Sequence, residues 1–93
     1  MSPESHEAYL RARHFLAKFT RQGALKALEQ FRESARIDPS FAPAWSGAGY
    51  AHLVVGLFGY SQGNLRRAGA AAARALALDP ALAEAHAVMG MVH

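Results

Sequence analysis

The chain has 93 residues, enough for one small domain; 52% of them are apolar and 18% are charged. It contains no cysteine, so disulfides and thiolate metal sites are excluded. The formal net charge of +3 is spread along the chain, and neither half forms the strongly basic block typical of nucleic-acid-binding domains. The first residues are polar and acidic, unlike a signal peptide, and we expect a cytoplasmic protein.

Two helices are predicted in the first forty residues. Ser2-Pro3-Glu4 has the order of a helix start, with a capping oxygen, a proline that needs no N–H partner and a carboxylate near the positive helix end. The first helix should run to about Lys18. Thr20 caps the second, Gln22–Ile37, which Asp38-Pro39 ends because proline disfavours α geometry in the residue before it.

A third helix should begin near Ser40 and Pro43 and end at about Leu57. The segment 56–64 follows it and is predicted to form a turn, because it contains glycines at three positions and Asn64.

The remaining chain predicts two further helices. Residues 65–78 form an alanine-rich fourth helix that Asp79-Pro80 ends, and a fifth begins near Leu82. Most apolar residues are alanine or leucine, few are β-branched, and no segment alternates as a strand would. The predicted class is therefore all-α.

The chain repeats itself around its two Asp-Pro pairs. "ARIDPSFAPAW" (35–45) and "ALALDPALAEAH" (75–86) share the same pattern of small residues, Asp-Pro and a large ring. Internal repetition of this kind is typical of helical-repeat proteins, in which small residues let helices approach closely and bulky ones fill the gaps.

The pattern resembles the tetratricopeptide repeat (TPR), in which helix A carries large, small and aromatic residues, and helix B carries alanine, an aromatic residue and a closing proline. The matching positions are Ala8, Ala12, Phe15, Ala27, Phe31, Ser34 and Pro39 in the first repeat, Trp45, Ala48, Gly49, His52, Ala68, Ala72, Ala75 and Pro80 in the second, and His86, Met89, Gly90 and His93 in the third. Two positions depart from the pattern: Arg11 stands where a leucine is usual, and Ala72 stands where an aromatic residue is usual.

The resemblance implies a TPR-like α-solenoid of antiparallel helix-turn-helix repeats in a single domain, 1–93. Repeat 1 spans about 3–39, repeat 2 about 41–80, and the first helix of a third repeat about 82–93. The two closing prolines stand 41 residues apart rather than 34, so we expect about seven extra residues in "GLFGYSQG" and at the end of the helix before it, which lengthen the turn of repeat 2.

The chain is similar to the TPR regions attached to bacterial class III nucleotide cyclases and winged-helix transcriptional activators. The resemblance implies a protein–protein interaction scaffold, regulatory within a larger bacterial signalling or transcription protein, with no catalytic role and no cofactor of its own. The competing hypothesis is a small helical domain that binds a ligand or nucleotide through the glycine-rich segment 56–64.

In stacked repeats the A helices line a concave surface, and one face of each helix is exposed there. The predicted partner-binding positions are Tyr9, Arg13, Leu16, Ser46, Tyr50, Leu53, Ala87 and Met91. They do not match the lysines and asparagines of the family's carboxylate clamp, so we expect a short apolar or aromatic-containing peptide or helix. The alternative is that Tyr9 and Tyr50 only pack against neighbouring helices.

Two further contact surfaces are predicted. Val88, Met89 and Val92 belong to a face that a missing B helix would cover, which predicts either self-association through the C-terminal helix or a frayed C-terminus. Leu57, Phe58 and Tyr60 either close the end of the helix pair or form an additional contact surface.

The surrounding residues argue against a nucleic-acid site and against a dinucleotide site. Arg11, Arg13, Lys18, Arg21 and Lys26 are flanked by acidic residues and fit a solvated helix face better than a nucleic-acid patch. Gly47-Ala48-Gly49 lacks the third glycine and the preceding strand of a dinucleotide fingerprint.

Two other patterns suggest a metal site and a membrane segment, but neither is predicted. His86 and His93 share a helix face, but no carboxylate stands at ligand spacing, and we predict no metal. The uncharged run 41–65 contains a proline and five glycines and is too polar to span a membrane.

Overall fold

The computed structural model describes residues 2–59 and 62–92, and within these ranges it contains helices and no strand, as predicted. Each predicted helix is present, with the largest difference at the start of the fourth. The helices are α1 (Pro3–Ala17), α2 (Arg21–Ile37), α3 (Ala42–Phe58), α4 (Gln62–Leu78) and α5 (Ala83–Val92).

The predicted caps of α1 and α2 are confirmed. The Ser2 hydroxyl accepts from the Ser5 N–H at 3.0 Å, and the Thr20 hydroxyl accepts from the Gly23 N–H at 2.9 Å. Each bond satisfies one of the amides that a helix start leaves without a partner. Asp38 ends α2 in an extended conformation ahead of Pro39, as the sequence predicts.

The turn predicted over 56–64 is wrong for most of that segment. Gly56 lies inside α3, while Gly63 and Asn64 belong to the first turn of α4. A Cβ at Gly56 would lie 3.6 Å from the Asn64 Cβ, an ordinary contact distance, so α3 and α4 lie side by side at this point. The extra residues therefore lengthen both helices. Tyr60 lies outside the described residues.

Contacts at the helix ends establish the directions of the helices. Ser5 near the start of α1 bonds Ser34 near the end of α2, and Trp45 near the start of α3 lies under Arg74 near the end of α4. Helices α1 and α2 are thus antiparallel, and so are α3 and α4.

The odd-numbered helices run side by side in the same direction. Tyr9 of α1 contacts Phe41 just before α3, and Phe19 just after α1 contacts Phe58 at the end of α3. Farther along, the Ser46 hydroxyl in the first half of α3 bonds Glu84 at the start of α5. The result is one face built from α1, α3 and α5, with α2 and α4 behind it.

The two Asp-Pro loops have the same hydrogen bonds. In each loop, the aspartate (Asp38 or Asp79) accepts a hydrogen bond through its side-chain oxygen from the N–H two residues later, at 3.1 Å. The backbone carbonyl of the same aspartate accepts from the N–H three residues later, also at 3.1 Å. The Trp45 indole donates to the Pro39 carbonyl at 2.9 Å, and the His86 Nε2 donates to the Pro80 carbonyl at 2.7 Å. The sequence repeat is therefore also a structural one.

Helix α3 contacts the other four helices and is the centre of the domain. Its small residues permit this, since a Cβ at Gly47 would overlap the ring of the fully buried Phe31. The core around it consists mainly of alanine with Leu16, Leu28 and Val54. Although α3 comes from the uncharged run, no helix in the described part of the chain is long and apolar enough to cross a membrane.

Candidate interaction surface

The face formed by α1, α3 and α5 carries the predicted partner-binding residues, but not all of them are accessible. Leu16 is buried in the core and Ser46 is only 1% exposed. The other predicted positions are partly or fully exposed: Tyr9, Arg13, Tyr50, Leu53, Ala87 and Met91.

A carboxylate that the sequence analysis missed connects the three helices of this face. One oxygen of Glu84 on α5 accepts from the Arg13 guanidinium on α1 at 2.7 Å, and the other accepts from the Ser46 hydroxyl on α3 at 2.8 Å. Arg13 also donates through Nε to the Tyr9 hydroxyl at 3.0 Å. Three predicted partner-binding side chains, those of Tyr9, Arg13 and Ser46, are therefore engaged within the chain.

The environment of Arg13 keeps it charged. Partial burial disfavours the guanidinium, but the hydrogen bond and charge of Glu84, with a smaller contribution from Tyr9, outweigh it and raise the pKa of Arg13 above its ordinary value. The guanidinium carbon also lies 5.3 Å from the centre of the Tyr9 ring. Arg13 thus holds this part of the face together.

Tyr9 packs within the domain. Its ring centre lies 5.7 Å from that of Phe31 and 5.3 Å from that of Phe41. These distances are typical of favourable aromatic pairs. Tyr9 therefore makes the neighbouring-helix contacts that the sequence analysis left open as an alternative, and Tyr50 is likewise partly buried against the core.

An apolar groove lies toward the end of this face where α1, α3 and α5 finish. It has a volume of about 310 Å³, and its wall includes Phe19, Tyr50, Leu53, Leu57 and Met91. Phe19, Leu57 and Met91 are 49%, 70% and 55% exposed. Large apolar side chains grouped in this way on a small surface are typical of interaction sites.

Phe19 was not predicted as part of the surface. It follows the end of α1 with a φ of 50°, in the left-handed region that bulky residues rarely adopt. Its ring contacts Phe58 at a centre-to-centre distance of 6.2 Å, which connects the ends of α1 and α3. The sequence "AKFTRQG" contains a signal that could have identified Phe19, namely an aromatic residue between the end of one helix and the cap of the next. No sequence signal identifies Glu84 as part of the surface, because its partners lie on other helices.

The predicted self-association face of α5 is partly covered within the chain. Val88 is fully buried against Ala68 and Ala72 of α4, so it is not available to a second copy. Met89 and Val92 are partly buried at the edge of the same cluster. Helix α5 packs against α3 and α4, and the sequence analysis did not take this into account.

The remaining sequence hypotheses involve the glycine-rich segment and metals. Gly56 lies inside α3 and Asn64 in the first turn of α4, and both contribute to the wall of the apolar groove. Among the described residues, no three His, Asp or Glu side chains lie close enough together to hold a metal ion. His86 is bonded to Pro80, and His93 lies outside the described residues.

Comparison with known proteins finds no family model that matches this chain and no curated protein significantly similar to it.

Proposed function

We propose that this chain is a TPR-like helical-repeat scaffold that binds another protein through the apolar groove. Support for the repeat comes from the matching hydrogen bonds of the two Asp-Pro loops and from the parallel course of α1, α3 and α5. In stacked helical repeats, such side-by-side helices provide the extended surface on which partners bind.

The observation that carries the binding proposal is the exposure of the groove side chains. Leu57 and Met91, which line the groove together with Leu53, are more than half exposed, while the core of the domain is mostly alanine. Burying such side chains in a complex gains about 25 cal/mol per Å² of apolar surface, which favours an apolar partner.

The partner that fits is a short peptide or helix with apolar or aromatic anchors. An amphipathic helix can place side chains at i, i+3 and i+4 into such a groove. The setting we propose, a regulatory segment of a larger bacterial signalling or transcription protein in the cytoplasm, rests on the sequence resemblance alone.

Selection from a displayed peptide library, followed by affinity measurements on variants, tests this proposal. Peptides with apolar anchors should bind the natural chain, and Leu57→Asp should weaken them about tenfold or more, because a charge would be buried at the interface. Leu10→Asp is the matched control, since Leu10 is 52% exposed on α1 outside the groove. An equal loss of peptide affinity in both variants, or no loss of affinity in either, would refute the groove as the binding site.

A second candidate is a small-molecule ligand in the same groove, favoured by the contribution of Gly56 and Asn64 to its wall. A volume of about 310 Å³ is at the lower end of the range for ligand sites. Titration with nucleotides, read by chemical shifts, distinguishes the two. Saturable shifts confined to 56–64 would favour the ligand over the peptide.

A further inference from the structure

A furrow runs along the opposite side of the domain, between α2 and α4. Both helices pack on α3, but in the described part of the chain their backbones do not contact each other. The space left between them is a cavity of about 310 Å³ with α3 as its floor. It shares His52 with the apolar groove, but its other lining residues and its chemistry are different.

Basic side chains stand on both walls of this furrow. Arg32 of α2 and Arg67 of α4 line it from opposite sides, and small residues (Ala48, Ala70 and Ala71) leave the space between them open. Neither arginine forms an ion pair with any described residue, and no acidic side chain lines the cavity. Arg74 adds a third cation at one end, with its guanidinium carbon 5.2 Å from the centre of the Trp45 ring.

His52 lies on the floor of the furrow with unused hydrogen-bonding capacity. It is only 7% exposed and it lines the cavity, and within residues 2–59 and 62–92 no hydrogen-bond partner is found for its ring nitrogens. Among the described residues only His6 Nδ1 is an enclosed side-chain nitrogen without a partner, so the ring nitrogens of His52 reach solvent and are open to a ligand in the furrow.

We propose that this furrow is a binding site for a phosphate monoester, held between Arg32 and Arg67 and hydrogen-bonded by His52. Guanidinium groups bind phosphate oxygens in bidentate geometry, and two of them match the dianionic charge of a monoester. Three donor groups from three different helices line this one cavity, which suits a tetrahedral anion with several acceptor oxygens better than a planar carboxylate.

The electrostatics of His52 agree with this assignment. Burial, followed by the positive charges of Arg32 and Arg67, lowers the pKa of His52 to about 4. A bound anion would offset both positive charges and accept a hydrogen bond from the ring. Ligand binding should therefore raise the pKa of His52, and this shift can be followed by NMR on the imidazole protons.

The experiment uses three probes at constant ionic strength, namely inorganic phosphate, a nucleoside monophosphate and a short phosphoserine peptide. Binding is followed by the fluorescence of Trp45, the one tryptophan in the chain, and by amide shifts. We expect at least one monoester to give saturable changes centred on Ala48, His52 and Ala70. If the nucleoside monophosphate binds more tightly, the natural ligand is a small molecule. If the phosphoserine peptide binds more tightly, the ligand is a phosphorylated protein.

Two variants that remove the same charge make the test specific. Arg67→Gln should weaken monoester binding about tenfold, because one of the two bidentate contacts is lost. Arg66→Gln, one position away on α4 and outside the cavity lining, should change affinity less than twofold. Both side chains are exposed, so both variants should fold. The proposal is overturned if neither monoester binds, or if the two variants weaken binding equally.

Discussion

The carboxylate of Glu84 on α5 lies 2.7 Å from the guanidinium of Arg13 on α1, although the backbones of these two helices do not touch among the described residues. The pair passes over α3, whose Ser46 hydroxyl bonds the other carboxylate oxygen. The first and last helices are therefore coupled by side chains across the face on which we place the interaction surface.

We expect Glu84→Ala to destabilise the domain by about 1 kcal/mol, because it removes two hydrogen bonds from a half-buried site. The effect should be largest in α5, whose amides should exchange with solvent faster. The control is Glu33→Ala, which removes the exposed pair with Arg36 and should leave exchange in α5 unchanged. Unchanged α5 exchange in Glu84→Ala would contradict a role for this bridge.

Gly47 and Gly90 make a matched pair for testing the packing of α3. A Cβ at Gly47 would overlap the buried Phe31 ring, whereas a Cβ at Gly90 would meet nothing within 4 Å. Gly47→Ala should therefore lower the free energy of unfolding by about 2 kcal/mol or more. Gly90→Ala should leave it unchanged or raise it by up to about 1 kcal/mol through helix propensity. Chemical denaturation measures both, and equal effects would rule out close contact between α2 and α3.

Ser5 and Ser34 exchange hydrogen bonds inside the α1–α2 pair. Each hydroxyl donates to the carbonyl oxygen of the other residue, at 2.8 and 2.7 Å, and both side chains are fully buried. Ser34→Ala should destabilise the domain by about 1 to 2 kcal/mol, since it leaves a buried carbonyl without its donor. Ser40→Ala, which removes an exposed hydroxyl, should have little effect on the same denaturation curve.

The stability of the domain should fall in acid because of His52. Its pKa is about 4 in the folded state and near 6.5 when the chain is unfolded, so between these values the unfolded state binds more protons. Stability is fully present above pH 6.5 and decreases as the pH falls toward 4. The decrease by pH 4.5 should be about 2 to 3 kcal/mol.

His52→Gln removes this titration and should flatten that part of the pH profile, while His14→Gln, at an exposed position on α1, should retain it. Direct titration of the His52 ring by NMR provides the pKa itself. A value near 6.5 would show that Arg32, Arg67 and burial do not act on the imidazole as described.

Much of the fold could be predicted from local signals. Ser2, Thr20 and the two Asp-Pro pairs mark helix ends through backbone chemistry that depends only on near neighbours. The glycines of 56–64 were misleading, because Gly56 lies inside α3 and Gly63 inside α4 rather than in a turn.

The candidate sites were harder to predict, because they depend on which helices meet. Glu84 and Arg13 become partners only when three helices align, and Val88 could not be recognised as buried until α4 was placed beside α5. The furrow around His52 joins residues from α2, α3 and α4, and no spacing within one helix indicates it.

The central position of α3 also bears on how the chain folds. In the described residues no helix backbone approaches that of another helix more than two places away in the chain, and α1 and α5 meet only through the side chains of Arg13 and Glu84, so the loops that must close are short. Chains with such local contacts fold in about microseconds to milliseconds. Because either helical hairpin can dock on α3 first, we expect assembly to proceed outward from this helix, with α5 the last to become ordered and the first to detach.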